Sequence, residues 1–211
     1  TLSEGPWTYV AQGEGHRTAL ALLQALDGMG DIAAVPGLWS RAGERLAAPR
    51  VLAENAQILD AELPDRGFSR FDFNRYRAHN WHAFGYPSRS PYASLQTSLG
   101  CPFRCTFCCI NAPFGVAGIR FWSPENVLRH FDYLARWGVQ HVKIPDEMFL
   151  LNPRHVEAIC DGLIAMENWN FNIWAYARVD TCGDAALLAK LKRAGFNWLG
   201  LGIESASAYV R

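Results

Sequence analysis

From residue 93 onward the chain alternates short apolar runs with helix-length periodic stretches on short connections, and nothing else in the sequence constrains the fold as strongly. Residues 93–98, 141–145, 171–176 and 198–203 read as strands. Ser123-Pro124-Glu125 supplies an N-cap, a first-turn proline and an early acid for a first helix, with Val127, Phe131, Leu134 and Ala135 as its apolar stripe and Gly138 at its end. Asn152-Pro153 opens a second helix with Val156, Ile159, Cys160 and Leu163 facing inward, and residues 185–194 form a third that ends at Gly195. A β-α-β-α-β-α-β order with short connections demands a parallel sheet with right-handed crossovers. Ligands of such sheets gather at the carboxyl ends of the strands. Each strand here ends in polar or sulfur groups: a cysteine loop, Asp146 with Glu147, Arg178 with Asp180, and Glu204 with Ser205. One such cluster is weak testimony, but its recurrence after all four strands is stronger.

The loop after the first strand reads Cys101-Pro102-Phe103-Arg104-Cys105-Thr106-Phe107-Cys108, and four of the six cysteines fall between positions 101 and 109. CxxxCxxC offers three thiolates on one loop, brought together by turns that Gly100 and Pro102 permit. Three thiolates can grip three irons of a cubane cluster and leave the fourth open. Zinc and a plain buried thiol are the competing readings. A closed zinc site needs a fourth ligand, and no second CxxC or HxxxH lies within reach. Cys109, Cys160 and Cys182 have no partner spacing and read as core or half-buried thiols. A disulfide framework is not expected in a chain of 211 residues that can build a core without staples, which points to a reducing compartment.

With 50% hydrophobic and 13% aromatic residues the chain can bury a substantial core, and its length suits one or two domains. Twenty basic residues balance twenty acidic ones, so nucleic acid is not an expected partner. No apolar run reaches the roughly 18 to 20 residues of a membrane span and no secretory leader pattern opens the chain, so a cytoplasmic location is expected. The six histidines lack metal-ligand spacing.

Residues 7–12 read as a strand leading through Gly13-Glu14-Gly15 into a helix that runs to about Met29, with Ala19, Leu22, Leu23 and Leu26 on one face. Glycines at such a strand-to-helix passage let a ligand approach the backbone, and equally serve a tight turn with no ligand. Residues 31–92 are broken by prolines and glycines and read as a connecting segment, with a hairpin of 37–41 and 44–46 over Ala42-Gly43. Aromatics between Phe68 and Phe84 are expected to dock this segment onto a neighbouring domain, with a substrate channel as the alternative. A barrel of eight βα units takes about 250 residues. The chain is therefore expected to be a fragment, opening inside one α/β domain and stopping at Arg211 where a helix is due.

CxxxCxxC with an aromatic, Phe107, just before the third cysteine resembles the radical S-adenosylmethionine (radical SAM) superfamily. Gly-Glu-Gly after a strand, a proline-rich linker ending in Pro91-Tyr92, and Thr97-Ser98-Leu99-Gly100-Cys101-Pro102 resemble the subgroup with an amino-terminal cobalamin-binding domain. The resemblance implies an α/β chain: residues 1–30 the end of a doubly wound cobalamin-type domain, 31–92 a linker, and 93–211 the first four βα units of a radical SAM partial TIM barrel. It implies a 4Fe–4S cluster on Cys101, Cys105 and Cys108 whose open iron is chelated by S-adenosylmethionine. Glu147 would meet the methionine amino group, although Asp146-Glu147 replaces the commoner Gly-Gly-Glu. Arg178 would pair with the methionine carboxylate, its alternative being a surface ion pair with Asp180. Glu204 and Ser205 would contact the ribose, the alternative for Glu204 being a helix N-terminal acid. Gly13 and Gly15 would at most touch the nucleotide tail of cobalamin, whose Asp-x-His-x-x-Gly ligand loop does not occur in these residues. The implied activity is reductive cleavage of S-adenosylmethionine to a 5′-deoxyadenosyl radical, fed by an electron donor such as a flavodoxin or ferredoxin. That radical would serve methylation, cyclisation or rearrangement of a small molecule or of a cell-envelope or secondary-metabolite precursor. A methylthiotransferase-like enzyme is disfavoured because residues 1–100 hold no cysteine for an auxiliary cluster. A noncatalytic iron–sulfur or zinc module is the reading of a different class.

Overall fold

A computed structural model describes residues 5–42, 45–50, 59–61, 71–167, 169–207 and 209. Two compact units emerge, one of residues 1–57 with 101–118 and the other of 58–100 with 119–211.

In the first unit β1 (Tyr9–Ala11) leads through Gly13, at φ +92°, into α1 (Gly15–Leu26). Strands β2 (Leu38–Ala42) and β3 (Arg45–Ala47) follow, and the sheet order β1-β2-β3 is antiparallel throughout. A hairpin therefore forms, but one residue later than 37–41 and 44–46, with Ala42 inside β2 and paired to Arg45 and with residues 43–44 outside the described set. It also pairs with β1, so β1 has an antiparallel neighbour where a doubly wound sheet would pair it in parallel. Helix α1 turns Thr18, Ala21, Leu22 and Ala25 inward against Val35, Leu38, Ile32 and Tyr9. Of the expected stripe only Leu22 faces this core, while Leu23 and Leu26 are exposed. The Thr18 hydroxyl explains the rotation, since it donates to the Pro36 carbonyl at 2.8 Å and holds that face down.

The second unit carries the alternation. After β4 (Tyr92–Ser94), β5 (Ser98–Cys101) and β6 (Gly118–Phe121) come α2 (Pro124–Arg136), β7 (His141–Ile144), α3 (Pro153–Ala165), β8 (Asn172–Arg178), α4 (Ala185–Arg193) and β9 (Phe196–Gly202). Strands β4-β7-β8-β9 form one wholly parallel sheet in that order. The run expected as a single strand over 93–98 is divided. Its ladder with β7 ends where the Leu95 amide donates to the Lys143 carbonyl, and the chain then leaves as β5 to pair with β6.

Helix ends follow local chemistry. Ser123, Asn152 and Asp184 each accept an amide of the first turn, and Pro124 and Pro153 occupy first-turn positions. Helix α2 closes with Gly138 at φ +73°, its amide on Ala135 O and that of Val139 on Leu134 O, a Schellman arrangement. Alternation along the strands puts Ala93, Val142, Ile144, Ile173, Ala175 and Ala177 on one buried face, and the inward residues of the helices are buried likewise: Val127, Phe131 and Leu134 of α2, Val156, Ile159 and Leu163 of α3, Leu187 and Leu191 of α4. The opposite face carries Lys143, Trp174, Tyr176 and Trp198, and Trp81 packs edge-on against Trp174 at 4.6 Å. Trp81 thus docks onto the sheet as expected of these aromatics, whereas Phe84 is exposed and Phe71 packs on Phe73 and Tyr76; Phe68 lies outside the described residues.

The segment 79–90 is fastened across the starting ends of β7 and β8 by a buried polar network. His82 Nε2 donates to Asn172 O at 2.9 Å, and Asn172 Nδ2 donates to His82 O at 2.7 Å and to His141 Nδ1 at 3.0 Å. His141 Nε2 in turn donates to Ser88 O at 2.9 Å. An amide donor on Nδ1 and a carbonyl on Nε2 fix His141 as the neutral Nε2–H tautomer. Among the described residues no helix is long and apolar enough to cross a membrane.

Candidate metal and cofactor site

The cysteine loop starts from a backbone that demands glycine. Gly100, buried in β5, has φ +89°, a conformation costly for any residue with a Cβ. Cys101 next to it is buried, while Cys105 and Cys108 are exposed. Turn hydrogen bonds shape the rest: Cys108 N to Cys105 O, Ala112 N to Cys109 O, Gly115 N to Asn111 O, and the Asn111 side chain to Phe103 O at 2.7 Å. Phe107 is 72% exposed. Among the described residues no three His, Cys, Asp or Glu side chains stand together in metal-binding geometry, so the loop's turns rather than sulfur convergence set its shape. The donor set nevertheless suits an iron–sulfur cluster in kind: three soft thiols within eight residues, two of them open to solvent.

The other thiols separate by environment. Cys160 is fully buried and its thiol is pushed up to about 12 by burial, which makes it inert. Cys182 is half-buried and its thiol lies 3.4 Å from Arg178 O. Cys109, expected in or near the core, is exposed, because it stands on the turn beside Cys108 with no strand neighbour to cover it.

At the end of β7, Asp146 and Glu147 have opposite fates. Asp146 is wholly buried and accepts three hydrogen bonds, from Thr97 N at 2.8 Å, Thr97 Oγ1 at 2.6 Å and Ser98 Oγ at 2.7 Å. Burial raises its carboxyl to about 6 against the pull of those donors. Asp146 thereby clamps the chain at the entry to β5, three and four residues ahead of Cys101. His155, at the start of α3, closes the cluster with Nε2 3.4 Å from Thr97 Oγ1. Glu147 beside it has a buried Oε2 with no hydrogen-bond partner among the described residues, and burial raises its carboxyl too. An orphaned carboxylate oxygen at a strand end is an acceptor awaiting a donor.

Arg178, the last residue of β8, forks onto Asp180, with Nε 3.0 Å from Oδ1 and Nη2 2.6 Å from Oδ2. The guanidinium lowers the Asp180 carboxyl. This is the ion pair named above as the alternative to ligand binding. Past β9, Glu204 is exposed with φ +63°, the described non-glycine residue in the left-handed region. Such strain tends to gather at functional sites. Ser205 follows in a tight turn, its amide on Ile203 O at 2.7 Å. Gly15 opens α1, whose N-cap, Glu14, makes no side-chain capping bond to the first turn.

Glu147, Arg178 and Glu204 thus stand at the carboxyl ends of three neighbouring parallel strands, β7, β8 and β9. The clamp of Asp146 on Thr97 and Ser98 escaped the sequence reading. Its partners lie 49 and 48 residues away, and no local spacing signals such a pair.

Residues 95–211 match the Radical SAM superfamily, more than half of the chain. An uncharacterized methyltransferase of Pyrococcus horikoshii is 29% identical over 208 residues, which cover 95% of this chain and 41% of that protein. The anaerobic magnesium-protoporphyrin IX monomethyl ester cyclase of Synechocystis is 28% identical over 211 residues, covering 94% of this chain and 38% of the cyclase. The chain therefore spans about two fifths of these relatives. Among solved structures, the cobalamin-dependent S-adenosylmethionine radical enzyme OxsB, with aqua-cobalamin and S-adenosylmethionine bound, superposes with a TM-score of 0.68 at 20% identity over 95% of this chain and 28% of its own. The fold is accordingly a mixed α/β fold with a parallel sheet like that of cobalamin-dependent radical SAM enzymes.

Proposed function

This chain belongs to the radical SAM superfamily, and from that membership we infer that it is the cluster-bearing part of a cobalamin-associated enzyme that methylates, cyclises or rearranges a small metabolite. The observation that carries the reading is the CxxxCxxC loop leaving β5 at Gly100, inside the matched region. The magnesium-protoporphyrin IX monomethyl ester cyclase relative supports a small organic substrate, and the methyltransferase relative supports methyl transfer as one outcome. The finer domain reading belongs here as well: residues 1–30 as the end of a cobalamin-type domain, 31–92 as linker, and 93–211 as the first units of a partial barrel.

Cys101, Cys105 and Cys108 would hold a 4Fe–4S cluster, with Cys101 fixed by its strand and the two exposed thiols free to turn toward the metal. When bound, the cluster and S-adenosylmethionine supply one-electron cleavage of a carbon–sulfur bond, giving methionine and a 5′-deoxyadenosyl radical. The chain's own residues bind and orient. Glu147 accepts from the methionine ammonium, which would satisfy its orphaned Oε2. Arg178 takes the methionine carboxylate by exchanging it for Asp180 on the same planar fork. Glu204 and Ser205 accept from ribose hydroxyls. Gly13 and Gly15 expose bare backbone that a cobalamin nucleotide tail can approach. A flavodoxin or ferredoxin is the donor class expected to reduce the cluster.

The deciding experiment is anaerobic reconstitution with iron and sulfide, followed by reduction and an assay for 5′-deoxyadenosine. A cubane-type paramagnetic signal that disappears in Cys101→Ala, Cys105→Ala and Cys108→Ala, together with 5′-deoxyadenosine formation, is expected. Metal uptake without S-adenosylmethionine cleavage in the folded full-length protein would make it a noncatalytic module.

A further inference from the structure

The face of the parallel sheet turned away from its helices holds a cation among aromatic rings. Lys143 on β7 is level with Trp174 on β8 and Trp198 on β9, and Tyr176 is level with Gly200 one step further along. Lys143 Nζ lies 4.5 Å from the Trp174 ring centroid and 5.1 Å from that of Tyr176. Trp81 stands edge-on to Trp174 at 4.6 Å and to Trp198 at 5.4 Å, and closes the side nearer the strand starts. Toward the strand ends the wall stays open, with Tyr176 38% and Trp198 39% exposed.

We propose that Lys143, Tyr176 and Trp198, backed by the buried Trp174, form a substrate-recognition wall for a planar, conjugated molecule bearing a carboxylate. Ring faces attract the ammonium of half-buried Lys143, yet among the described residues they leave its three N–H donors without oxygen acceptors. Among the described residues no carboxylate pairs with Lys143, so an anion is the complementary partner. Flat exposed rings stack best on a flat π-system, and they gain from covering their apolar area. Glycine at 200 keeps the wall close to the strand, since a Cβ there would stand 3.1 Å from the Tyr176 ring and 3.2 Å from Trp174 Nε1. Alternation puts Arg178 on the same face, two residues beyond Tyr176, about 7 Å along the strand. A molecule on this wall lies just below the strand-end groups assigned to S-adenosylmethionine.

This inference names the substrate class for the site proposed above and takes its catalytic meaning from that reading, but binding itself needs neither cluster nor S-adenosylmethionine. Calorimetric titration of the full chain uses 2-naphthoate, its uncharged analogue 2-naphthalenemethanol, and the non-planar anion cyclohexanecarboxylate. Lys143→Met should weaken 2-naphthoate about tenfold or more, as loss of one charge-assisted contact does. Lys143→Arg should restore it, and 2-naphthalenemethanol should respond equally to wild type and Lys143→Met. Unchanged 2-naphthoate affinity in a folded Lys143→Met protein, no binding to wild type, or cyclohexanecarboxylate binding as tightly as 2-naphthoate each overturns the proposal. Any of these beside intact 5′-deoxyadenosine formation leaves the enzyme class standing and removes only the substrate class.

Discussion

Two neighbouring carboxylates at the end of β7 show how burial divides labour between like residues. Asp146 accepts three hydrogen bonds, all from Thr97 and Ser98, while Glu147 keeps one buried oxygen in reserve. Replacing Asp146 by alanine leaves a buried Thr97 amide without an acceptor and removes three bonds, so a loss of about 3 kcal/mol is expected in urea unfolding. Asp146→Asn keeps an acceptor and sheds a buried charge, and it should cost less than half as much. Equal losses in the two variants would show that the hydrogen bonds do not hold β5. Glu147→Gln should instead leave unfolding unchanged and weaken S-adenosylmethionine about tenfold in equilibrium binding to the reconstituted protein, at unaltered iron content. Because burial raises the Glu147 carboxyl, wild-type affinity should also fall on acidification sooner than an ordinary glutamate would dictate. A Glu147→Gln protein that binds as wild type would withdraw the residue from the site. The location of this pair was legible in the sequence as polar residues ending an apolar run. The division of roles was not, because it depends on Thr97 approaching from another strand.

At the scale of elements the legible part is the part with local causes. Helices α2, α3 and α4 begin at Ser123, Asn152 and Asp184 because a side-chain oxygen there meets a first-turn amide, and that chemistry is written within four residues. Two features with distant causes were less visible. The division of the run 93–98 into β4 and β5 follows from Asp146, and the inward face of α1 follows from Thr18 reaching Pro36. The helix-ending glycines show how much context adds even to a local signal. Gly138 and Gly195 both have positive φ, but a Cβ at 138 meets nothing within 4 Å whereas one at 195 would collide with the Phe171 carbonyl oxygen. Gly138→Ala should cost about 1 kcal/mol for the left-handed backbone alone. Gly195→Ala must also displace the chain entering β8 and should cost about 2 kcal/mol or more. Thermal unfolding of the two variants compares them directly, and equal shifts would rule out the contact with Phe171 as the difference.

For the molecule as a whole, the buried histidines tie stability to pH. His82 is fully buried and held down to about 4, chiefly by burial, and His141 is lowered for the same reason. A group whose folded value is depressed stabilises the native state above its unfolded value, and that contribution is lost as pH falls toward the folded value. For His82 the window runs from about 6.5 down to about 4, with a slope of about 1.4 kcal/mol per pH unit for each proton taken up. Protonation of His141 would also set an N–H against the Asn172 amide donor 3.0 Å away, so the fastening of segment 79–90 and the start of the sheet fail together. Asp146 opposes this: raised to about 6, it adds stability as pH falls from there toward 3.8 and is spent below that. Glu147 is raised as well and acts in the same sense, but His155 joins His82 and His141 among the lowered histidines, so three histidines against two carboxyls leave a net loss on acidification. Urea midpoints measured between pH 7 and pH 4.5 should therefore fall in the wild type. His82→Asn should start from a lower midpoint at pH 7 and fall less steeply, because one of the three protonating histidines is gone. A slope identical to wild type would mean that His82 is already protonated, or already exposed, over that range.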